Sequence, residues 1–138
     1  MPVQLQQKTS VKQLTPSIEL SVSSTEFQNK RIIFIKYNGQ IDSTFDVSAP
    51  DSSTLFELQS NFESDTFMIE KKCLLGDNLD LKLSVLINHV SKLIYTKAKG
   101  GEAKNLIVSL SSKLFKTDSG LSDFDVIILI LQSLSEII

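Results

Sequence analysis

At 138 residues the chain has the length of one domain, expected to span residues 1–138, and it is long enough to bury roughly two-thirds of the surface its unfolded form exposes. A hydrophobic content of 41% with 22% charged residues speaks against disorder or a fibrous repeat, and a net charge of −2 lacks the surplus of Lys and Arg that a general nucleic-acid binder needs. No apolar stretch reaches the roughly 18 residues of a membrane span, and Cys73, the sole cysteine, excludes an internal disulfide. With Met1-Pro2-Val3-Gln4 opening on no signal pattern, the expected location is the cytoplasm and nucleus.

Val3 to Thr9 is a polar strand candidate whose Gln-rich character suits a sheet edge, and Pro16 marks a turn. Ile18, Leu20 and Val22 then alternate with polar residues, the period of a strand with one buried face. Arg31 to Tyr37 is β-branched and aromatic on both faces, so it is expected to be a central strand covered on both sides. Asn38-Gly39 suits a type I′ turn, so Gln40 to Ser48 is expected to pair back antiparallel on that strand, with Ile41 and Phe45 facing the sheet interior. Ala49 to Asp65 has the composition of a long loop, and Thr66 to Leu75 resumes strand character until Gly76.

Asp77 or Asn78 is the expected cap of a helix whose apolar positions Leu79, Leu83, Leu86, Val90, Leu93 and Ile94 recur at three and four residues, ending near Lys97. Leu106 to Ser111 follows as an apolar strand, and Asp118 to Leu121 as a turn. Ser122 with Asp125 has the form of a capping box opening a helix through Ile138. Val126, Ile127, Ile130, Leu131, Leu134 and Ile138 form its main stripe, and Ile128 and Leu129 fall outside it. The order β-β-β-β-β-α-β-α predicts an α+β fold, a six-stranded, largely antiparallel sheet packed with two helices.

Catalytic chemistry finds little support. His89 stands alone inside a helix, and Cys73 has only Lys71 and Lys72 nearby to activate a thiolate. Asp123 and Asp125 suit a helix start better than a carboxylate pair, and Lys99 to Lys104 lacks the Gly-Lys-Ser/Thr ending of a phosphate loop. No catalytic, cofactor-binding or metal-binding residue is therefore expected. One charge pattern stands out: from Tyr37 through Glu70 there is no Lys or Arg among seven acidic residues. Asp51, Glu57, Glu63 and Asp65, with Leu55, Phe56 and Phe62 between them, form a candidate contact for a basic partner. Excess apolar surface on the helices makes Leu83, Ile128 and Leu129 candidates for a dimer interface.

In order and spacing, Gln6-Gln7-Lys8-Thr9, Ile18 to Val22, Arg31 to Tyr37, the Gly39 turn, Lys72-Cys73-Leu74-Leu75-Gly76-Asp77, the helix with Val90, and Asn105 to Lys113 resemble the proteasome assembly chaperone 3 family. That resemblance implies a non-enzymatic chaperone that dimerises with a related partner, proteasome assembly chaperone 4. It also implies transient binding of a proteasome alpha-type subunit, which promotes assembly of the core-particle alpha ring, with a homodimer possible in isolation. A roadblock- or longin-like adaptor in a dimeric trafficking or GTPase-regulating complex is the alternative. Neither reading involves nucleic acid or a membrane.

Overall fold

The computed structural model describes residues 6–51, 53, 70–76, 80–97, 103–115 and 122–138. Among them, strands β1 (Gln6–Thr15), β2 (Ile18–Glu26), β3 (Lys30–Tyr37), β4 (Ser43–Val47), β5 (Lys71–Leu75) and β6 (Asn105–Leu110) form one sheet in the order β1-β2-β3-β6-β4-β5. Helix α1 (Leu81–Thr96) lies between β5 and β6 in the chain. A short 3-10 turn (Ser112–Phe115) and helix α2 (Asp123–Ile137) follow. The fold is α+β as expected, but the sheet is mixed, because β6 runs parallel to β3 while the other pairings are antiparallel.

The hairpin expectation is corrected on one point. Asn38 and Gly39 do adopt positive φ (49° and 75°), and the backbone bonds Tyr37 N to Gln40 O (3.1 Å) and Gln40 N to Tyr37 O (3.0 Å) close the tight turn. Yet the pairing stops at that one bridge. β6 fills the slot between β3 and β4, with Ile33 beside Val108 and Phe45 beside Val108 on its other side. Asp42 N bonds Leu110 O (3.1 Å), which directs the chain to the far side of β6 and leaves Ile41 exposed instead of facing the interior. A turn is local chemistry, whereas pairing is decided by whichever apolar strand fits the slot, and Leu106, Val108 and Leu110 fit it with no exposed apolar surface.

β1 is longer than expected and is an edge strand, joined to β2 through a turn at Pro16 and Ser17. The cap of α1 is Asp80, not Asp77 or Asn78: its carboxylate accepts from Lys82 N (3.1 Å) and Leu83 N (3.2 Å), satisfying orphan amides of the first turn. Ser122 caps α2 as expected, its Oγ accepting from Asp125 N (3.1 Å). Leu83, Leu86, Ile87, Val90 and Ile94 from α1 and Val126, Ile130, Leu134 and Ile137 from α2 enter the same core as Leu20, Val22, Ile33, Ile35, Phe45 and Val108. Both helices therefore cover one face of the sheet.

The helices lie side by side and point the same way, because Lys82 Nζ meets Asp123 Oδ2 at 2.8 Å near their starts and Lys97 Nζ donates to Ser135 Oγ at 2.8 Å near their ends. Glu136 fastens α2 to β1, accepting from Ser10 Oγ and Lys12 Nζ, each at 3.2 Å. Asp42 ties the 3-10 turn to the start of β4, with Oδ1 accepting from Ser112 N (2.9 Å) and Oδ2 from Ser112 Oγ (2.6 Å).

Candidate partner interface

Side chains alternate along a strand, so if Ile33, Ile35 and Tyr37 enter the core, Ile32, Phe34 and Lys36 stand on the other face of the sheet. Register extends this second face across its centre. Ile32 pairs with Thr25 on one side and Ile107 on the other, Phe34 with Ser23 and Ser109, and Ile107 with Asp46. None of Ile32, Phe34 and Ile107 belongs to the core, and all three are half-buried. No described element lies over them. β3 is central as expected, but its second covering is absent among the described residues.

The apolar centre has a polar surround. Thr44 Oγ1 and Ser109 Oγ share a hydrogen bond of 2.9 Å, Lys36 Nζ sits 5.4 Å from the centre of the Phe34 ring, and Asp46 faces Lys72 across the β4–β5 pair. Val11 extends the apolar surface onto the edge strand, 54% exposed. Apolar middle and polar rim is the anatomy of a protein–protein contact, and nothing in it supplies a nucleophile or an acid–base pair.

On the helix-covered face, one end of the sheet gathers charge. Glu26 accepts from Lys104 Nζ at 2.7 Å and pairs with Arg31 at 3.5 Å. The Lys104 hydrogen bond, helped by the charges of Arg31, Lys104 and Lys8 and opposed by burial, holds the Glu26 carboxyl below its usual range. Arg31 also donates to Ser24 Oγ (3.0 Å), and Lys104 to Phe27 O (2.9 Å). These bonds staple β2, β3 and the start of β6 together. Burial lowers the Lys71 ammonium and, with the Asp46 charge adding to it, raises the Tyr95 phenol, whose hydroxyl donates to Lys104 O at 2.8 Å.

The residues singled out from sequence are scattered. Leu83 is fully buried in this chain's own core, which corrects its assignment to a dimer interface: it has no surface to offer a partner. Leu129 is half-buried against the core, and Ile128 is exposed. Asp51 is exposed, while Glu57, Glu63 and Asp65 lie outside the described residues. His89 is exposed on α1, and no group of His, Cys, Asp and Glu suited to a metal occurs among the described residues. The open face of Ile32, Phe34 and Ile107 was not singled out from sequence, although its signal was present. Apolar residues on both faces of Arg31 to Tyr37 require two coverings, and one of them can be another molecule.

The model of the family "20S proteasome chaperone assembly proteins 3 and 4" matches residues 1–135. Among solved structures, a chain from a chaperone complex for yeast 20S proteasome assembly is similar to this one at 26% identity, with a TM-score of 0.70, over 96% of this chain and 98% of that one. No curated protein sequence matches.

Proposed function

The chain belongs to the family of 20S proteasome chaperone assembly proteins 3 and 4, and from that premise we propose that it pairs with a related, chaperone 4-like subunit through the open face of its sheet. The pair would then hold an alpha-type subunit of the core particle while the alpha ring assembles. As a proteasome assembly chaperone the protein works by binding and not by catalysis. The observation that carries the pairing is the Ile32, Phe34 and Ile107 surface, which lies outside the core formed by the described residues. Covering it would remove apolar area from water at roughly 25 cal/mol per Å² before the costs of association are subtracted. The roadblock- or longin-like alternative finds no support in the family match.

A temporary assembly factor must leave when the permanent neighbour arrives, so its hold on the alpha-type subunit is moderate by design. Pairing is tested by native mass measurement of the chain mixed with its chaperone 4-like partner. Phe34→Asp and Ile107→Ser should abolish the heterodimer while circular dichroism reports an intact fold, and a heterodimer that survives both substitutions overturns the sheet-face assignment. Mass measurement of the chain alone shows whether it self-pairs through the same face. Purification of the tagged chain should recover alpha-type subunits without mature beta subunits, and imaging of that tag tests action in the cytoplasm and nucleus.

A further inference from the structure

The helix layer carries a second apolar surface, on the side of the molecule away from Ile32, Phe34 and Ile107. Leu81 is 78% exposed, Phe124 70%, Val85 45% and Ile128 37%. Leu81 and Val85 lie one turn apart on α1, and Phe124 and Ile128 one turn apart on α2. The Lys82–Asp123 ion pair at 2.8 Å draws the two helix starts together, so the four side chains belong to one end of one layer. Single exposed apolar residues are ordinary, but four at adjoining helix starts, one of them a phenylalanine mostly in water, mark a contact surface.

Among the described residues, the charge around this surface is one-sided. Asp80, Asp123 and Asp125 set three carboxylates against the Lys82 ammonium, leaving two negative charges. The two helix starts return roughly half a positive charge each, so the surround stays anionic. Asp80 is held in place by the amides of Lys82 and Leu83, and Asp123 by Lys82.

We infer that this end of the helix layer docks a cationic protein surface, which packs large apolar side chains against Phe124 and Ile128 while its lysines or arginines meet Asp123 and Asp125. The inference rests on the functional reading above, in which the alpha-type subunit is the occupant. The chaperone 4-like partner is assigned to the opposite face, so both could bind at once. Phe124 supplies the anchor, and the carboxylates set orientation and encounter rate.

The test uses the full chain paired with its chaperone partner, titrated against each alpha-type subunit of the same organism by biolayer interferometry at low and high salt. Phe124→Ser should weaken binding of the recognised subunit about tenfold or more through faster dissociation. Asp125→Lys should slow association at low salt, an effect that fades at high salt. Chaperone pairing should persist in both. Unchanged alpha-subunit kinetics in both Phe124→Ser and Asp125→Lys would overturn the surface assignment. Loss of chaperone pairing in Phe124→Ser, or a self-associated species that this substitution dissolves, would reassign the surface to another occupant and overturn it too. If the unmodified pair binds no alpha-type subunit, the functional reading itself falls and takes the occupant with it.

Discussion

Two glycines separate conformational from steric cost. At Gly39 an added Cβ would meet nothing within 4 Å, so only the φ of +75° resists substitution, and Gly39→Val should cost on the order of 1 kcal/mol or more. At Gly76 the φ is +104° and a Cβ would come within 2.5 Å of Ser43 Oγ and 3.0 Å of the Ser43 backbone. Gly76→Ala should therefore destabilise more than Gly39→Ala, by about 2 kcal/mol, because strain and collision add. Urea melts of the two variants decide it: equal midpoints would mean that the β5 end relaxes away from Ser43. Glu26 gives a pH test. Its carboxyl is lowered in the folded state, so its contribution is complete above the ordinary carboxylate range and is lost as pH falls through the lowered folded value. Lys104→Met removes the hydrogen bond that dominates this shift and should move the Glu26 midpoint upward in an NMR titration of its carboxyl carbon. An unmoved midpoint would assign the shift to Arg31 and Lys8.

Among the elements, α2 offers a stabilising substitution. Ser133 is fully buried, and its hydroxyl has no hydrogen-bond partner among the described residues. Ser133→Ala relieves a desolvated polar group and improves helix propensity, so it should raise stability by roughly 0.5–1 kcal/mol. A lower melting temperature would show that the hydroxyl fills space the methyl cannot. By contrast, Ser122→Ala should cost about 1 kcal/mol, since the bond to Asp125 N satisfies an otherwise orphaned amide. Helices were legible in the sequence because their apolar spacing and caps are local: Leu83, Leu86, Val90 and Ile94 all reach the core, and Ser122 opens α2 as its spacing with Asp125 implies. The neighbour of β3 was not legible. Asn38-Gly39 announces a reversal of the chain but carries no information about Leu106 to Leu110, which arrive far along the chain and take the slot. The candidate interface residues were hidden for a related reason: Phe34 reads as core until the sheet shows which face the helices occupy.

At the scale of the whole molecule, the proposed recognition divides between charge and apolar surface. The acidic span without Lys or Arg should act on encounter. Converting Asp51 and Asp65 to Asn, and Glu57 and Glu63 to Gln, should slow association with an alpha-type subunit at low ionic strength and leave the melting temperature nearly unchanged. Equal rates and equal salt slopes for both proteins would reduce the span to solvated filler. The position of β6 has a further consequence, for the order in which the chain can fold as it leaves the ribosome. β1, β2 and β3 are consecutive and can pair as soon as residue 37 is clear, but β4 has no neighbour on one side, and β3 keeps a bare apolar edge, until residues 105–110 emerge. The sheet closes from its middle, and closes late. Contacts so distant in sequence delay folding and leave strand edges open to wrong pairings during synthesis. Pulsed hydrogen exchange during refolding should protect the amides between β1 and β2 before those between β3 and β6, and simultaneous protection would show that the meander has no independent life before its last strand arrives.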